Sequence, residues 1–414
     1  MFFLQLKKLK KQRYEPKMYI FESMQLSYKA SSHIFVRLIL LTFLISIFIS
    51  FDLWGLNRSF PSFPIINIDI QNSWFHTFLQ YSFIGTIVFC LISPKKKPIS
   101  ILLIFLILMI SIDQLRLQSW VYFLGICFIP FVVKSDKKSE INYLTILFIV
   151  LYVWSGFHKL NQNFINFIFE SILVDGFHIT DIKTLTSLKS FGYVFPVIEV
   201  SIGVLLIFKS TRNIGVYFLI FTHLFIIYYI IFGLHGNYVI LPWNIFMMIG
   251  AIILLYDNKQ RIIFPKENLL KVILIIIALL PIGFLINKID QSVSFSLYDG
   301  KQKGLYLLEN ESQNSSFSID KNLMKQGNIE DYNLWSFKEL NVPFYAEDRF
   351  IRKLKESKTD SINKFLLTDI PLWNRNLLGK YKNDQELKEY QKLDSLEMIV
   401  FKQTLFFPIF KIIE

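Results

Sequence analysis

The sequence predicts an all-α polytopic membrane bundle of about nine transmembrane helices, followed by a small α+β extracytoplasmic C-terminal domain. Three observations carry this expectation. The 414 residues are 53% hydrophobic and only 18% charged, below the share of about 25% charged residues usual in soluble domains. The apolar residues come in runs long enough to cross a hydrocarbon core of about 30 Å, where a spanning segment must satisfy its own backbone hydrogen bonds. The cationic turns between runs alternate with cation-poor ones. The net charge of +12 therefore reads as positive-inside bias plus a basic tail, and not as a nucleic-acid surface.

The runs are, in order, 34–54, 75–94, 99–115, 119–134, 142–161, 191–208, 213–232, 238–256 and 269–288. Residues 1–33 precede them as a basic cytoplasmic tail. They lack the short apolar core and small-residue site of a cleaved signal. Lys95 to Lys97, Lys134 with Lys137 and Lys138, Lys209 with Arg212, and Lys259 with Arg261 and Lys266 all fall on the tail's side of a nine-helix chain. The intervening turns hold only Arg58, Arg116, Lys183 and Lys189. The expectation is a multi-pass protein of the cell inner membrane, its N-terminus cytoplasmic and residues 290–414 outside. The third and fourth runs are short and poorly separated. Cys90 and Cys127 lie inside apolar runs and suggest neither a disulfide framework nor a metal cluster.

After Ile289 the character changes. SVSFSLYDGKQKGLYLLEN alternates on either side of Asp299-Gly300, which predicts a hairpin with the glycine at positive φ. EDRFIRKLKES and DQELKEYQKLDSLEMIV read as helical. The domains are thus a tail over 1–33, a membrane domain over 34–289 and an outer domain over 290–414.

Polar groups inside the runs are the informative exceptions, because charge in hydrocarbon is expensive and marks function. Asp113 and Arg116 lie one turn apart. Tyr152, Ser155 and Lys159 share a helix face at i, i+3 and i+7, and His158 follows Trp154 at i+4. Glu199 falls near the middle of the sixth run, and a lone carboxylate at that depth must be protonated or paired. His223 is central in the seventh. HGNYVILPWN brings His235, Asn237, Trp243 and Asn244 to the outer half of the seventh and eighth runs. At 1.5 Å per residue Lys159 lies about 26 Å from the inner start of its helix and Glu199 roughly 12 Å below the outer face. One pocket opening outward would hold them all.

Plainer readings stand beside this one. Lys159 and Arg116 could snorkel to headgroups, Asp113–Arg116 could be a structural ion pair, and His223 could join helices by a hydrogen bond. The six histidines lack the i, i+4 pairing of a helical metal site, so no metal is expected.

The stretch YVWSGFHKLNQNF resembles the lysine-bearing helix end of the vitamin K-dependent gamma-carboxylase family, whose membrane region is the horizontally transferred transmembrane (HTTM) domain. Tyr152, Ser155, Gly156, Lys159, Leu160 and Asn161 carry the likeness. VIEVSIGVLLIFKSTRNIGVYFLIFTHLFIIYYIIFG extends it through Glu199, Arg212, Gly215 and His223, covering residues 100–260 in patches. The resemblance implies that Lys159 is a base acting on a reduced quinone, that the cofactor is a quinone, and that quinol-dependent lyase or oxygenase chemistry follows. Where the family has an Asn-His pair this chain has Gln118, Ser119 and Trp120, so carboxylation itself is not implied, and His158 stands in reach as a substitute.

The expected catalytic set is Lys159, His158, Glu199 and His223. The expected ligand pocket comprises Tyr152, Ser155, Asp113, Arg116, Trp120, His235 and Asn244. The partners would be the lipid bilayer, a lipid-soluble small molecule such as a quinone, and an extracytoplasmic protein or peptide, with no nucleic acid. A rival reading is a non-enzymatic membrane scaffold or assembly factor acting through residues 290–414. A transporter is less well supported, because no inverted repeat or pair of broken helices is visible.

Overall fold

The computed structural model describes residues 27–301 apart from 56–57, 66–72, 235, 259 and 287. Beyond these it describes 304–308, 329–344, 347, 349–350, 353, 364–368, 398–403 and 408–413. The membrane part is built from helices α1 (Tyr28–Ile49), α2 (Ser73–Ile92), α3 (Lys96–Ile112), α4 (Ser119–Cys127), α5 (Lys137–Lys159), α6 (Val194–Ile207), α7 (Arg212–Tyr229), α8 (Ile240–Leu255) and α9 (Asn268–Leu285). Six helices are long and apolar enough to cross a membrane by length and composition: Tyr28–Ile49, Trp74–Ile92, Lys137–Lys159, Lys183–Ile207, Arg212–Gly233 and Asn268–Leu285. The apolar helices Ser119–Val132 and Ile240–Leu255 are shorter, and α3 has 17 residues. The protein is a multi-pass membrane protein with six such helices among the described residues. Nine spans are not established.

Helix starts follow local chemistry. Asp136 opens α5 by accepting from the Ser139 amide at 2.7 Å, the side-chain cap that an exposed first turn requires. Ser27 caps α1 in the same way through the Ala30 amide. The core joins α1, α4, α5 and α8 through phenylalanines. Phe35 packs edge-on to Phe148 and Phe246, and Phe123 reaches both Phe148 and Phe246. Edge-to-face geometry is what the ring quadrupoles favour.

Helices α5 and α6 touch at the backbone. A Cβ at Gly156 would stand 2.6 Å from the Val200 nitrogen and 2.7 Å from the Pro196 oxygen, and one at Gly203 would stand 2.6 Å from Val153 Cγ2. Small residues let membrane helices approach this closely. The contact sets Ser155 and Lys159 directly across from Glu199.

Three π-helical stretches lie close by: Phe164–Phe169, Ile172–Gly176 and Ile230–Leu234. The segment 162–190, which contained no expected membrane run, thus folds into π-helical turns and a short helix at Ile182–Lys189. Glu170 and Asp175 interrupt its apolar character, which is why no long run is visible there.

The predicted hairpin about Asp299-Gly300 is not formed. Residues 294–301 run as turns and loop; Gly300 keeps the expected positive φ, at 78°, and Phe295 and Tyr298 share it at 55° and 52°. A Cβ on Gly300 would come within 2.5 Å of the Asn163 backbone, so tertiary contact with the end of α5 has replaced strand pairing. Short strands follow: β1 (Gly304–Leu308), β2 (Ile329–Asp331), β3 (Lys364–Thr368), β4 (Met398–Gln403) and β5 (Pro408–Ile413). Their order is β2-β1-β3-β4-β5, with β3 and β4 parallel and the other neighbours antiparallel. Most of the chain between them lies outside the described residues, so an α+β domain over 290–414 stays an expectation. The helix expected in DQELKEYQKLDSLEMIV lies outside the described residues except at 398–400, which belong to β4. Most of EDRFIRKLKES also lies outside them.

Helix α10 (Tyr332–Leu340) and the residues after it are tied to the membrane part. Glu339 accepts from the amide and hydroxyl of Ser59 and from the Phe60 amide, and Asn341 donates to the Ile49 carbonyl at 2.9 Å. Phe60 and Phe63 pack against Trp335 and Phe350 at 4.8 Å between centroids.

Candidate functional site

The end of α5 faces a cavity of about 140 Å³ among α5, α6, α7 and α8. Its walls are mostly apolar and include Phe164, Ile168 and Ile172 of the π-helical turns, together with Phe195 and Trp243. Leu297 and Tyr298, from the segment after α9, close one side. That segment is held by Asn161, which donates to the His158 and Asp299 carbonyls at 2.6 and 2.9 Å. Gln291 and Ser296 in turn hold the buried Asp299 side chain. Burial pushes the Asp299 carboxyl above its usual range, against the opposing pull of the Ser296 hydroxyl.

Two hydrogen-bonded groups project into this apolar space. In the first, Lys159 Nζ lies 2.6 Å from Glu199 Oε2 and 2.7 Å from Ser155 Oγ, and Ser155 donates to the same carboxylate oxygen at 2.8 Å. The lysine is 7% exposed and Glu199 9%, so Lys159 does not snorkel to headgroups. These contacts use two of the three ammonium donors, leaving one for a ligand acceptor. In the second group, Asn244 Nδ2 donates to the Ile240 carbonyl at 2.8 Å, which fixes the amide and turns Oδ1 toward His223 Nδ1 at 2.7 Å. A neutral His223 ring therefore carries its proton on Nδ1 and accepts at Nε2 from the Tyr152 hydroxyl. Tyr152, His223 and Asn244 form one hydrogen-bonded chain beside the ion pair.

Six of the expected site residues thus meet in one cavity: Tyr152, Ser155, Lys159, Glu199, His223 and Asn244. Others do not. His158 turns to a different face of α5, where its ring stacks on Trp154 at 5.5 Å and meets Phe284 edge-on. Adjacent residues on a helix point about 100° apart, so it cannot substitute for a partner of Lys159. Asp113 and Arg116 do not pair with each other in an ion pair. Asp113 binds Arg58 and the Phe63 and Leu115 amides. Arg116 donates to the carbonyls of Leu53, Trp54 and Met109 and lies 2.8 Å from His76 Nε2. Trp120 packs with Phe43 and Trp54. These residues lock the loop after α1 onto the end of α3, away from the cavity. His235 lies outside the described residues.

Tyr229 and Tyr298 also line the cavity, and the sequence reading missed both. Tyr229 hydrogen-bonds Ser171 at 2.7 Å and Tyr298 accepts from Asn237. A tyrosine near a membrane face is unremarkable by composition. The π-helical turns gathered here favour functional sites, but they have no sequence pattern of their own and gave the sequence no signal to read.

Residues 137–241, about a quarter of the chain, match the family model described as methylamine utilisation protein MauE. No curated protein and no solved structure matches the chain. The matched segment holds both stretches that suggested the vitamin K-dependent gamma-carboxylase and HTTM family. That resemblance is therefore corrected: the segment that carried it matches the MauE family model instead, and the base role it lent to Lys159 loses its ground.

Proposed function

We propose that this membrane protein binds a small ring-bearing, lipid-soluble molecule, of the quinone class or a related carbonyl- or hydroxyl-bearing ring, in the cavity among α5 to α8. The observation that carries the reading is the convergence of two hydrogen-bonded polar groups on one apolar cavity. Ligand sites have this form: apolar walls with a few placed polar groups. The size suits a ring, since an apolar cavity of about 150 Å³ holds benzene, while a longer tail would leave between the helices. Lys159 is already held by Glu199 and Ser155. Its role here is to present an ammonium donor to a ligand oxygen. The Tyr152–His223 pair, with the ring fixed by Asn244, would exchange a proton with such an oxygen. The cap over Leu297 and Tyr298 lies on the side away from the basic turns. With positive-inside orientation the site would open outward, with the N-terminus cytoplasmic in the inner membrane of a cell.

The test uses the full chain in lipid nanodiscs, with 2-methyl-1,4-benzoquinone and its hydroquinone as probes. Trp243 lines the cavity, so its fluorescence should be quenched saturably. Ile226→Phe, which fills the cavity, should abolish quenching, and Glu199→Leu with Lys159→Met, which removes the free ammonium donor, should weaken it by about tenfold, the worth of one buried hydrogen bond. Quenching that does not saturate, or that survives Ile226→Phe unchanged, would sink the proposal.

A further inference from the structure

A second cavity lies at the opposite end of α5 and α6. It measures about 650 Å³ and is lined by Ile146 and Ile149 of α5, Ile207 and Phe208 at the end of α6, and Lys209, Ser210 and Arg212 of the following turn. The remaining wall is the segment Arg261–Phe264. That segment is pinned at both ends. Arg212 holds the carbonyls of Asn258 and Gln260, and Lys266 holds Asp136 through its ammonium and Ser139 through its amide. Arg212 also binds the Leu206 and Ile207 carbonyls, so its guanidinium holds the shape of the cleft. Lys209 and Arg261 stand exposed at the rim. Among the described residues lining the cleft there is no carboxylate. Helix α7 starts here without a side-chain cap, a position that favours an anion, and the nearby Asp257 carboxylate accepts from the Asn213 side chain at 3.4 Å. Below the rim, Ile207 and Phe208 are 45% and 58% exposed, so the apolar wall continues onto the outside of the bundle.

From these features we infer that the cleft is a binding site for an anionic phospholipid of the surrounding leaflet. The phosphate lies between Lys209, Arg261 and the start of α7, and an acyl chain lies against Ile146, Ile149, Ile207 and Phe208. Basic pockets between helices recognise phosphate headgroups in this way. The apolar walls select a lipid over free phosphate, because inorganic phosphate would use only the rim. A bound lipid would also brace α5 and α6 at the end remote from Lys159 and Glu199.

Another groove, lined by Lys95, Lys96 and Lys97, runs between α2 and α3, so the test removes it first. The full chain carrying Lys95→Gln, Lys96→Gln and Lys97→Gln is placed in zwitterionic micelles with a fluorescent short-chain phosphatidylglycerol. Unlabelled phosphatidylglycerol, phosphatidylcholine and inorganic phosphate then compete for it. Phosphatidylglycerol should compete roughly 30-fold better than phosphatidylcholine, the preference that two interfacial cations supply. Adding Lys209→Gln and Arg261→Gln should reduce that ratio to about threefold or less. These two side chains are exposed, so folding does not depend on them. An equal ratio in the first variant, a ratio unchanged by the second pair, or inorganic phosphate competing as well as phosphatidylglycerol would each overturn the assignment.

Discussion

Glu199 touches one cation and one hydroxyl inside an apolar bundle, and removing it has a different consequence from removing the pair. Glu199→Leu leaves the Lys159 ammonium buried with Ser155 as its remaining partner at the site. Breaking a buried pair in this way costs about 3–5 kcal/mol, whereas replacing both charges by apolar groups is often neutral. We therefore expect Glu199→Leu to destabilise the protein strongly in denaturant unfolding, and Glu199→Leu with Lys159→Met to regain most of the loss. Ring binding should stay weak in the double variant, because the donor to the ligand is gone. Equal stability of the single and double variants would show that the pair is not a buried charge pair. The sequence made Lys159, Glu199, His223, Tyr152, Ser155 and Asn244 visible through their polarity alone. The same signal raised Asp113, Arg116 and Trp120, which have other partners. Polarity within an apolar run says that a group needs a partner. Only the fold says which one, and Arg58, which binds Asp113, lay in a loop where nothing distinguished it.

At the scale of elements, the site depends on how closely α5 and α6 approach. Gly156 meets backbone atoms of α6, so even a methyl group must push the helices apart. Gly156→Ala should cost about 1–3 kcal/mol, as overpacking does, and should weaken ring binding by separating Lys159 from Glu199. Gly85 is the control. A Cβ there meets nothing within 4 Å, so Gly85→Ala in α2 should stabilise by about 0.5–1 kcal/mol through helix propensity. Thermal unfolding of both variants checks the contrast, and similar effects at the two glycines would refute backbone packing as its cause. Helices were the legible elements, because a long apolar run leaves the backbone few alternatives. The turns around the site were not. Phe164–Gly176 has a broken pattern, and the alternation around Asp299-Gly300 matched a hairpin equally well. Contact between Gly300 and the end of α5 decided that segment, and it involves residues more than a hundred positions apart.

Across the whole molecule, the contacts gather one kind of turn at one end of the bundle. Tyr28 reaches Gln260, Ser32 binds Glu140 at the start of α5, Lys266 binds Asp136, and Arg212 binds the Gln260 carbonyl. The starts of α1, α5 and α7 and the turn before α9 therefore share a face with Lys137, Lys138, Lys209 and Arg261. At the other end Asn161 holds Asp299, and Asn341 holds the end of α1. The positive-inside rule predicts the cytoplasmic side for this basic face. Single cysteines at two exposed positions, Ser210→Cys on the basic face and Thr180→Cys on the opposite one, separate the two orientations. Native Cys90 and Cys127 are buried and should stay silent. A membrane-impermeant maleimide applied to intact cells should label Thr180→Cys and should reach Ser210→Cys only after lysis. The reverse pattern would put the ring cavity on the cytoplasmic side and the lipid cleft in the outer leaflet. Labelling of both positions in intact cells would mean that α5 and α6 do not cross the membrane as a pair. The expected pattern leaves the Tyr152–His223 chain facing the outside, where a proton taken from a ring ligand would be released away from the cytoplasm.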